Sequence, residues 1–201
     1  ADYGDYDVTL EAPAAYAVEA TGVRVSDQKI KKGYRRYRYR IGDVHDFAWL
    51  AAKGAKRIRR KAGKVQLQLL YFEHDPAAAR RHLDIMAKSV DRLQRWYAPY
   101  PYPVLTNILV PSKDAALPAA GMEYPTFFTS HTEEVFFLER FGALNTTVHE
   151  LVHQYFYGLV ASNEYREPWL DEGFTTYVTG QILDDLYGRG KSAGEIGPLR
   201  A

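Results

Sequence analysis

The sequence predicts an α+β fold in two parts, with residues 1–72 built from strands and residues 73–201 mixed. Three observations predict it. In the first seventy residues apolar side chains recur with the period of two that a half-buried strand requires, and turn residues punctuate the runs. From about residue 73 the recurrence changes to every third or fourth residue, the spacing of one helix face. Near the far end His149, His153 and Glu172 stand where two successive helices would present them to one point.

The elements follow in order. Asp7 to Pro13 reads as a strand ended by proline, Tyr16 to Val23 as a second and Arg35 to Gly42 as a third. Asp46 to Ala51 is a short apolar segment. Val65 to Phe72 alternates and then turns wholly apolar, which suits a strand entering a core. Lys32-Gly33 and Ala62-Gly63 are turn signals between them. Asp75-Pro76 is a helix start, with Asp as cap and Pro at the first helical position. Leu83, Met86, Ala87, Val90, Leu93 and Trp96 then mark one helix face, which Pro99, Pro101 and Pro103 close. Thr106 to Pro111 reads as a strand, and Met122 to Thr129 as an extended stretch around Pro125. Two helices are expected at about 140–160 and 168–188, before a tail loosened by Gly188, Gly190, Gly194 and Gly197.

The 201 residues are 46% apolar and 25% charged, the composition of a soluble globular protein with enough apolar residues for a sizeable core. No apolar run approaches the roughly 20 residues that span a bilayer, so no membrane segment is expected in this chain. The start, Ala1-Asp2-Tyr3-Gly4-Asp5, is acidic and is not read as a signal peptide. Cysteine is absent, so any metal must be held by His, Asp, Glu or water, and compartment is not readable from redox chemistry. Charge is uneven: residues 29–64 hold fourteen Lys or Arg against Asp43 and Asp46, and residues 131–201 hold eleven Asp or Glu against five Lys or Arg. A nucleic-acid surface is one reading of the basic block. The alternation in Tyr37-Arg38-Tyr39-Arg40-Ile41 favours a strand with one solvated face, and no nucleic-acid partner is expected.

The chemistry concentrates in Thr147-Val148-His149-Glu150-Leu151-Val152-His153. Histidines four apart on a helix lie one turn apart and within about 40° around the axis, so both rings can reach one ion. Glu150 points along a different radius but can reach a water on that ion, the general-base position of His-Glu-x-x-His. A catalytic zinc takes three protein ligands and leaves a fourth position open. The third ligand is expected from Glu172, after eighteen intervening residues from His153, on a helix that starts at Pro168 and returns antiparallel. Two imidazoles and a carboxylate suit zinc. His45, His74, His82 and His131 stand alone and are expected on the surface or in loops.

These residues resemble a known family. His149-Glu150-Leu151-Val152-His153 followed by Glu172 within Trp169-Leu170-Asp171-Glu172-Gly173-Phe174 is similar to the gluzincin zinc aminopeptidases, the family of aminopeptidase N and leukotriene hydrolase. Ala120-Gly121-Met122-Glu123-Tyr124-Pro125 resembles that family's Gly-x-Met-Glu-Asn exopeptidase motif, and Asp46-Phe47-Ala48-Trp49 a segment near the end of its N-terminal β domain. The resemblance implies that residues 1–72 are the C-terminal part of that β domain. It implies that residues 73–201 are an incomplete thermolysin-like catalytic subdomain with a small sheet and two zinc-binding helices.

It also implies roles. His149, His153 and Glu172 would bind Zn2+, and Glu150 would activate the water and pass its proton to the leaving amine. Glu123 would bind the free α-amino group of a peptide substrate, and Gly121 and Met122 would line the first subsite. The sequence departs from the family at Tyr124, where the motif has Asn. The family's oxyanion-stabilising tyrosine falls beyond Ala201, and Tyr187 lies too close to Glu172 to replace it. The family's helical C-terminal domain is not in this sequence either, so a fragment with reduced turnover is expected. The function expected is release of N-terminal residues from peptides. An endopeptidase or epoxide hydrolase on the same scaffold, or a zinc-binding module with little activity, are the open alternatives.

Overall fold

The computed structural model describes residues 2–72, 76–110, 121–131 and 142–189. The expected Asp75 cap, His74, Ala120 and the tail glycines from Gly190 onward lie outside them. The first part is β throughout. Strands β1 (Gly4–Pro13), β3 (Val23–Lys31) and β4 (Tyr34–Val44) form an antiparallel sheet in the order β1-β4-β3, and β2 (Tyr16–Ala20) pairs with β5 (Trp49–Lys53). On β4 the alternation is realised, with Tyr37 and Tyr39 buried and Arg36, Arg38 and Arg40 outward. These arginines meet acids across the sheet: Arg36 bonds Glu11 at 2.6 Å, and Arg38 and Arg40 bond Asp7 at 2.5 and 2.9 Å. The basic block is thus partly neutralised by cross-strand pairing.

Two strands had no periodicity to announce them. β3 is nearly all exposed, and β6 (Lys56–Ala62) carries Lys56, Arg57, Arg59, Arg60 and Lys61. Both are edge strands, where charged residues protect the open backbone and erase the apolar alternation.

The second sheet runs β6-β7-β8-β9, with β7 (Val65–Tyr71), β8 (Val104–Val110) and β9 (Phe127–His131) parallel and β6 antiparallel. It draws two strands from before residue 72 and two from after it. Helix α1 (Pro76–Trp96) makes the crossover from β7 to β8, as parallel strands require. Leu67, Leu69, Leu105, Leu109 and Phe128 pack on one face against α1, α2 (Gly142–Val152) and α3 (Phe174–Tyr187). Leu70, Ile108 and Phe127 pack on the other, against Ala48 and Leu50. Burial of both faces explains the near-continuous apolar runs of β7 and β8. Each fully buried Leu or Phe contributes about 1.5–3 kcal/mol.

Helix α2 stops at Val152, well short of residue 160. Gln154 and Tyr155 bond back three residues, to Leu151 O and Val152 O, and Tyr157 has φ of 93°. The last turn tightens and the chain leaves the helix axis just after His153. Three further ties join the β part to the second sheet and its helices. Glu19, buried on β2, pairs with Arg24 and with Arg57 of β6. Tyr3 Oη donates to Tyr157 O at 3.0 Å. Gly22 N donates to Thr126 Oγ1 at 2.7 Å. Gly22 has φ of 87°, and a Cβ there would meet the Arg40 backbone, so this approach requires glycine.

Candidate metal centre

Val148, Leu151 and Val152 anchor the end of α2 in the core, with His149 and Glu150 between them and His153 directly after. The chain returns through Pro168, at φ of −58°, into a π-helical turn, Trp169–Gly173, that runs directly into α3. Such wide turns recur at functional sites, and this one presents Asp171 and Glu172 side by side. His149 Nε2 lies 3.0 Å from Glu172 Oε2 and 3.1 Å from His153 Nε2, and His153 Nε2 lies 3.7 Å from Glu172 Oε2. Ligand atoms about 2.0–2.1 Å from a tetrahedral zinc sit ~3.3 Å apart, so this triangle has the size of one face of such a site. His153 is buried, while Glu172 is 59% exposed, so the cluster opens to solvent on one side. The three residues expected as ligands are brought together.

Asp171 was quoted within the motif but carried no expected role. Its Oδ1 lies 2.7 Å from His153 Nδ1, and Thr175 Oγ1 lies 3.2 Å from the same nitrogen. A carboxylate on Nδ1 holds the proton there and leaves the Nε2 lone pair free for a cation. Burial disfavours the imidazolium of His153, but the Asp171 carboxylate in close contact and the charges of Glu123 and Glu150 outweigh it and raise the pKa to about 9. The group is thus poised to hold positive charge at Nε2, as proton or as metal ion. Adjacency to Glu172 was the available signal, since a ligating histidine needs a partner on its other nitrogen.

Glu150 is buried, and one carboxylate oxygen of Glu150, one of Glu123 and one ring nitrogen of His153 lie within 4.8 Å of one another. Burial, with Glu123, Glu172 and Asp171 nearby and His153 opposing, pushes Glu150 up to about 8. Burial also raises Glu123, again against His153. Glu123 shares a second cluster with Glu164 and Asp171, also within 4.8 Å. Gly121, expected to line a subsite, has a tighter function here: its α-carbon is the floor on which the Glu150 side chain rests, and a Cβ would come within 2.7 Å of Glu150 Cγ and closer to its carboxyl. Met122 is exposed and bridges Thr129, whose N–H donates to Met122 O at 2.9 Å.

Two solitary histidines are not on the surface. His82 and His131 are buried, because α1 turns His82 inward and β9 lies between β8 and α2. His82 Nδ1 lies 2.7 Å from Thr147 Oγ1, which donates to Ser130 Oγ at 3.0 Å, and Ser130 pairs with Asn107. This buried chain braces α2 two residues before His149.

Comparison with known proteins gives the family and the fold. The model of the peptidase family M1 domain matches residues 81–197. Aminopeptidase M1 of Arabidopsis thaliana is 30% identical over 113 residues, which is 52% of this chain and 12% of that protein. Leucine aminopeptidase 2 of Emericella nidulans is 36% identical over 101 residues, 50% of this chain and 15% of that protein. The crystal structure of an M1 zinc metallopeptidase from Deinococcus radiodurans superposes with a TM-score of 0.72 over 94% of this chain and 42% of that one, at 20% identity, a likeness of fold. The chain thus matches a small part of the length of the two aminopeptidases and less than half of the solved structure.

Proposed function

The chain belongs to peptidase family M1, and we propose that it carries the zinc centre of an aminopeptidase, which removes N-terminal residues from peptides. The observation that carries the reading is the triangle of His149 Nε2, His153 Nε2 and Glu172 Oε2, with the Glu150 and Glu123 carboxylates beside it. His149, His153 and Glu172 would hold the ion. Bound there, zinc would polarise the scissile carbonyl and acidify the attacking water.

The chain's own groups supply the rest. Glu150 takes the proton of the attacking water and returns it to the leaving amine. A base must be ionised, and the nearby double positive charge of the ion would bring the Glu150 carboxyl down from about 8. Glu123 attracts a protonated α-amine, with Glu164 and Asp171 adding negative charge around it. A carboxylate this close to the metal leaves room for one residue between the amine and the bond cut. The names of the relatives, aminopeptidase M1 and leucine aminopeptidase 2, support this choice.

The test is turnover of an aminoacyl-anilide and of its N-acetylated form by the zinc-loaded protein. Glu123→Ala should raise KM for the free amine and leave the blocked substrate unaffected, and Glu150→Gln should abolish turnover of both with zinc still bound. Equal use of blocked substrates, undiminished by Glu123→Ala, would instead indicate an endopeptidase. Zinc binding without turnover would indicate a binding module.

A further inference from the structure

We propose that Gln154 is the positioning residue that locks the Gly121–Thr126 strap onto the metal-binding helix, and so sets where Glu123 meets the substrate amine. The consequence for the amine rests on the aminopeptidase reading above; the lock itself does not.

Gln154 directly follows His153 and is 4% exposed. A primary amide has two acceptor sites and two donor hydrogens, and all four are used. Its Oε1 accepts from Thr126 N at 2.8 Å and from Tyr100 Oη at 3.1 Å. Its Nε2 donates to Glu123 O at 3.3 Å and to Tyr124 O at 3.2 Å. Three of the four partners are main-chain groups of the strap, at residues 123, 124 and 126. The amide cannot be turned over, since its NH2 would then face the Thr126 N–H and its oxygen two carbonyls. Among the described residues, the hydrogen bonds between the strap's main chain and the segment 142–160 all involve Gln154.

The strap needs such a lock. Tyr124-Pro125-Thr126-Phe127 is a tight turn, closed by Phe127 N donating to Tyr124 O at 3.0 Å. Proline at its second position and positive φ at its third are the marks of a type II turn, whose third position normally takes Gly or Asn. Here it is Thr126, at φ of 55°, a conformation that a β-branched residue adopts only under constraint. Thr126 is held on three sides, by Gln154 on its N–H, by Gly22 N on its hydroxyl and by Thr106 N, 2.9 Å from its carbonyl. Gly22 and Thr106 bind the turn to the β part and to β8; Gln154 alone of the three ties it to the element that carries His149, Glu150 and His153. A shift of about 1 Å at a positioning group can cost a hundredfold in rate.

The test uses the zinc-loaded protein with Gln154→Met, which keeps the length and removes the polar atoms, and Gln154→Glu, which keeps the acceptor for Thr126 N–H. Hydrogen exchange should show protection of the Thr126 amide falling about tenfold or more in Gln154→Met and less in Gln154→Glu. Amides of β8 and the zinc affinity should not change. KM for an aminoacyl-anilide should rise about tenfold with kcat within about twofold, as a displaced amine-binding carboxylate would cause. Unchanged Thr126 protection in both variants overturns the proposal. A loss in kcat with KM unchanged overturns it too, since that would make Gln154 a support of the helix alone. Glu123→Ala separates the two readings. If Glu123→Ala leaves KM unchanged while Gln154→Met exposes Thr126, the aminopeptidase reading falls and the lock stands. If Glu123→Ala raises KM and Gln154→Met does not, the positioning role of Gln154 falls and the aminopeptidase reading stands.

Discussion

Gly121→Ala adds one methyl group, and its effect follows from where Glu150 lies. The new Cβ would sit 2.7 Å from Glu150 Cγ and closer to the carboxyl. Carbon atoms pack at about 3.5–4.0 Å, so Cγ must retreat by roughly 0.8 Å or more and the carboxylate further. The three atoms nearest the new group all belong to Glu150, and an end-of-chain carboxylate can swing, so stability should fall by no more than about 1–2 kcal/mol. Catalysis should suffer far more. A misplacement of about 1 Å costs on the order of 10²-fold in rate. The expected result is kcat down about a hundredfold, KM within a few-fold, and full zinc content by metal analysis. Steady-state kinetics on an aminoacyl-anilide, with zinc measured on the same sample, makes the check. A Gly121→Ala protein with wild-type kcat would show that the Glu150 carboxylate does not need the place Gly121 leaves for it. A protein that lost zinc as well would show that the two parts of the site are not separable as the geometry has them.

Three other outcomes follow from the same structure. Asp171→Asn should weaken zinc binding by about 10–100-fold in a competition assay with a chelator, because His153 Nδ1 loses its carboxylate partner at 2.7 Å; unchanged affinity would dismiss Asp171 as a support. Zinc at a hundred times its Kd should stabilise the folded chain by about 2.7 kcal/mol, or roughly 5–10 °C in Tm, and His149→Ala should abolish that gain. Acid should expose the His82 chain. His82 is held near a pKa of about 4 by burial, with His131 and Arg81 adding to it, against an ordinary value of 6.5. Between these values the unfolded state binds more protons, so stability is full above pH 6.5 and is lost as pH falls toward 4. The loss by pH 4.5 should reach about 2–3 kcal/mol, and His82→Gln should flatten that part of the curve in urea unfolding; an unchanged slope would free His82 of it.

What could be read from the sequence depended on how local the determining physics is. β4 and α1 were legible because each buries a regular stripe, and a stripe prints its period on the chain: Tyr37 and Tyr39 on β4, Leu83, Met86, Val90 and Leu93 on α1; β7 and β8 were legible because burial on both faces leaves a near-continuous apolar run. β3 and β6 were not, because edge strands bury almost nothing and carry charge for protection. The end of α2 was misplaced by about two turns for a related reason. Phe156, Leu159 and Val160 continue an apolar pattern that suits a helix, but Leu159 and Val160 are exposed, and the main chain has already bonded back on itself at Gln154 and Tyr155.

The candidate site divides along the same line. His149, Glu150 and His153 were legible because helical periodicity alone fixes their mutual arrangement, and Glu172 because one reversal brings it to them. The groups that hold these residues in place were not, since each acts across distant sequence. Gln154 follows His153 as an ordinary polar residue, and only the fold shows its amide filled by Tyr100, Glu123, Tyr124 and Thr126. The resemblance implies a subsite position for Gly121, and nothing in its neighbours reveals that Glu150, on another element, also lies against it. Pattern therefore identifies the candidate atoms of the site, while their placement to within an ångström belongs to contacts between residues 28 to 54 positions apart. Substitutions at Gln154 and Gly121 should for that reason alter catalysis without altering the motif by which the site was found.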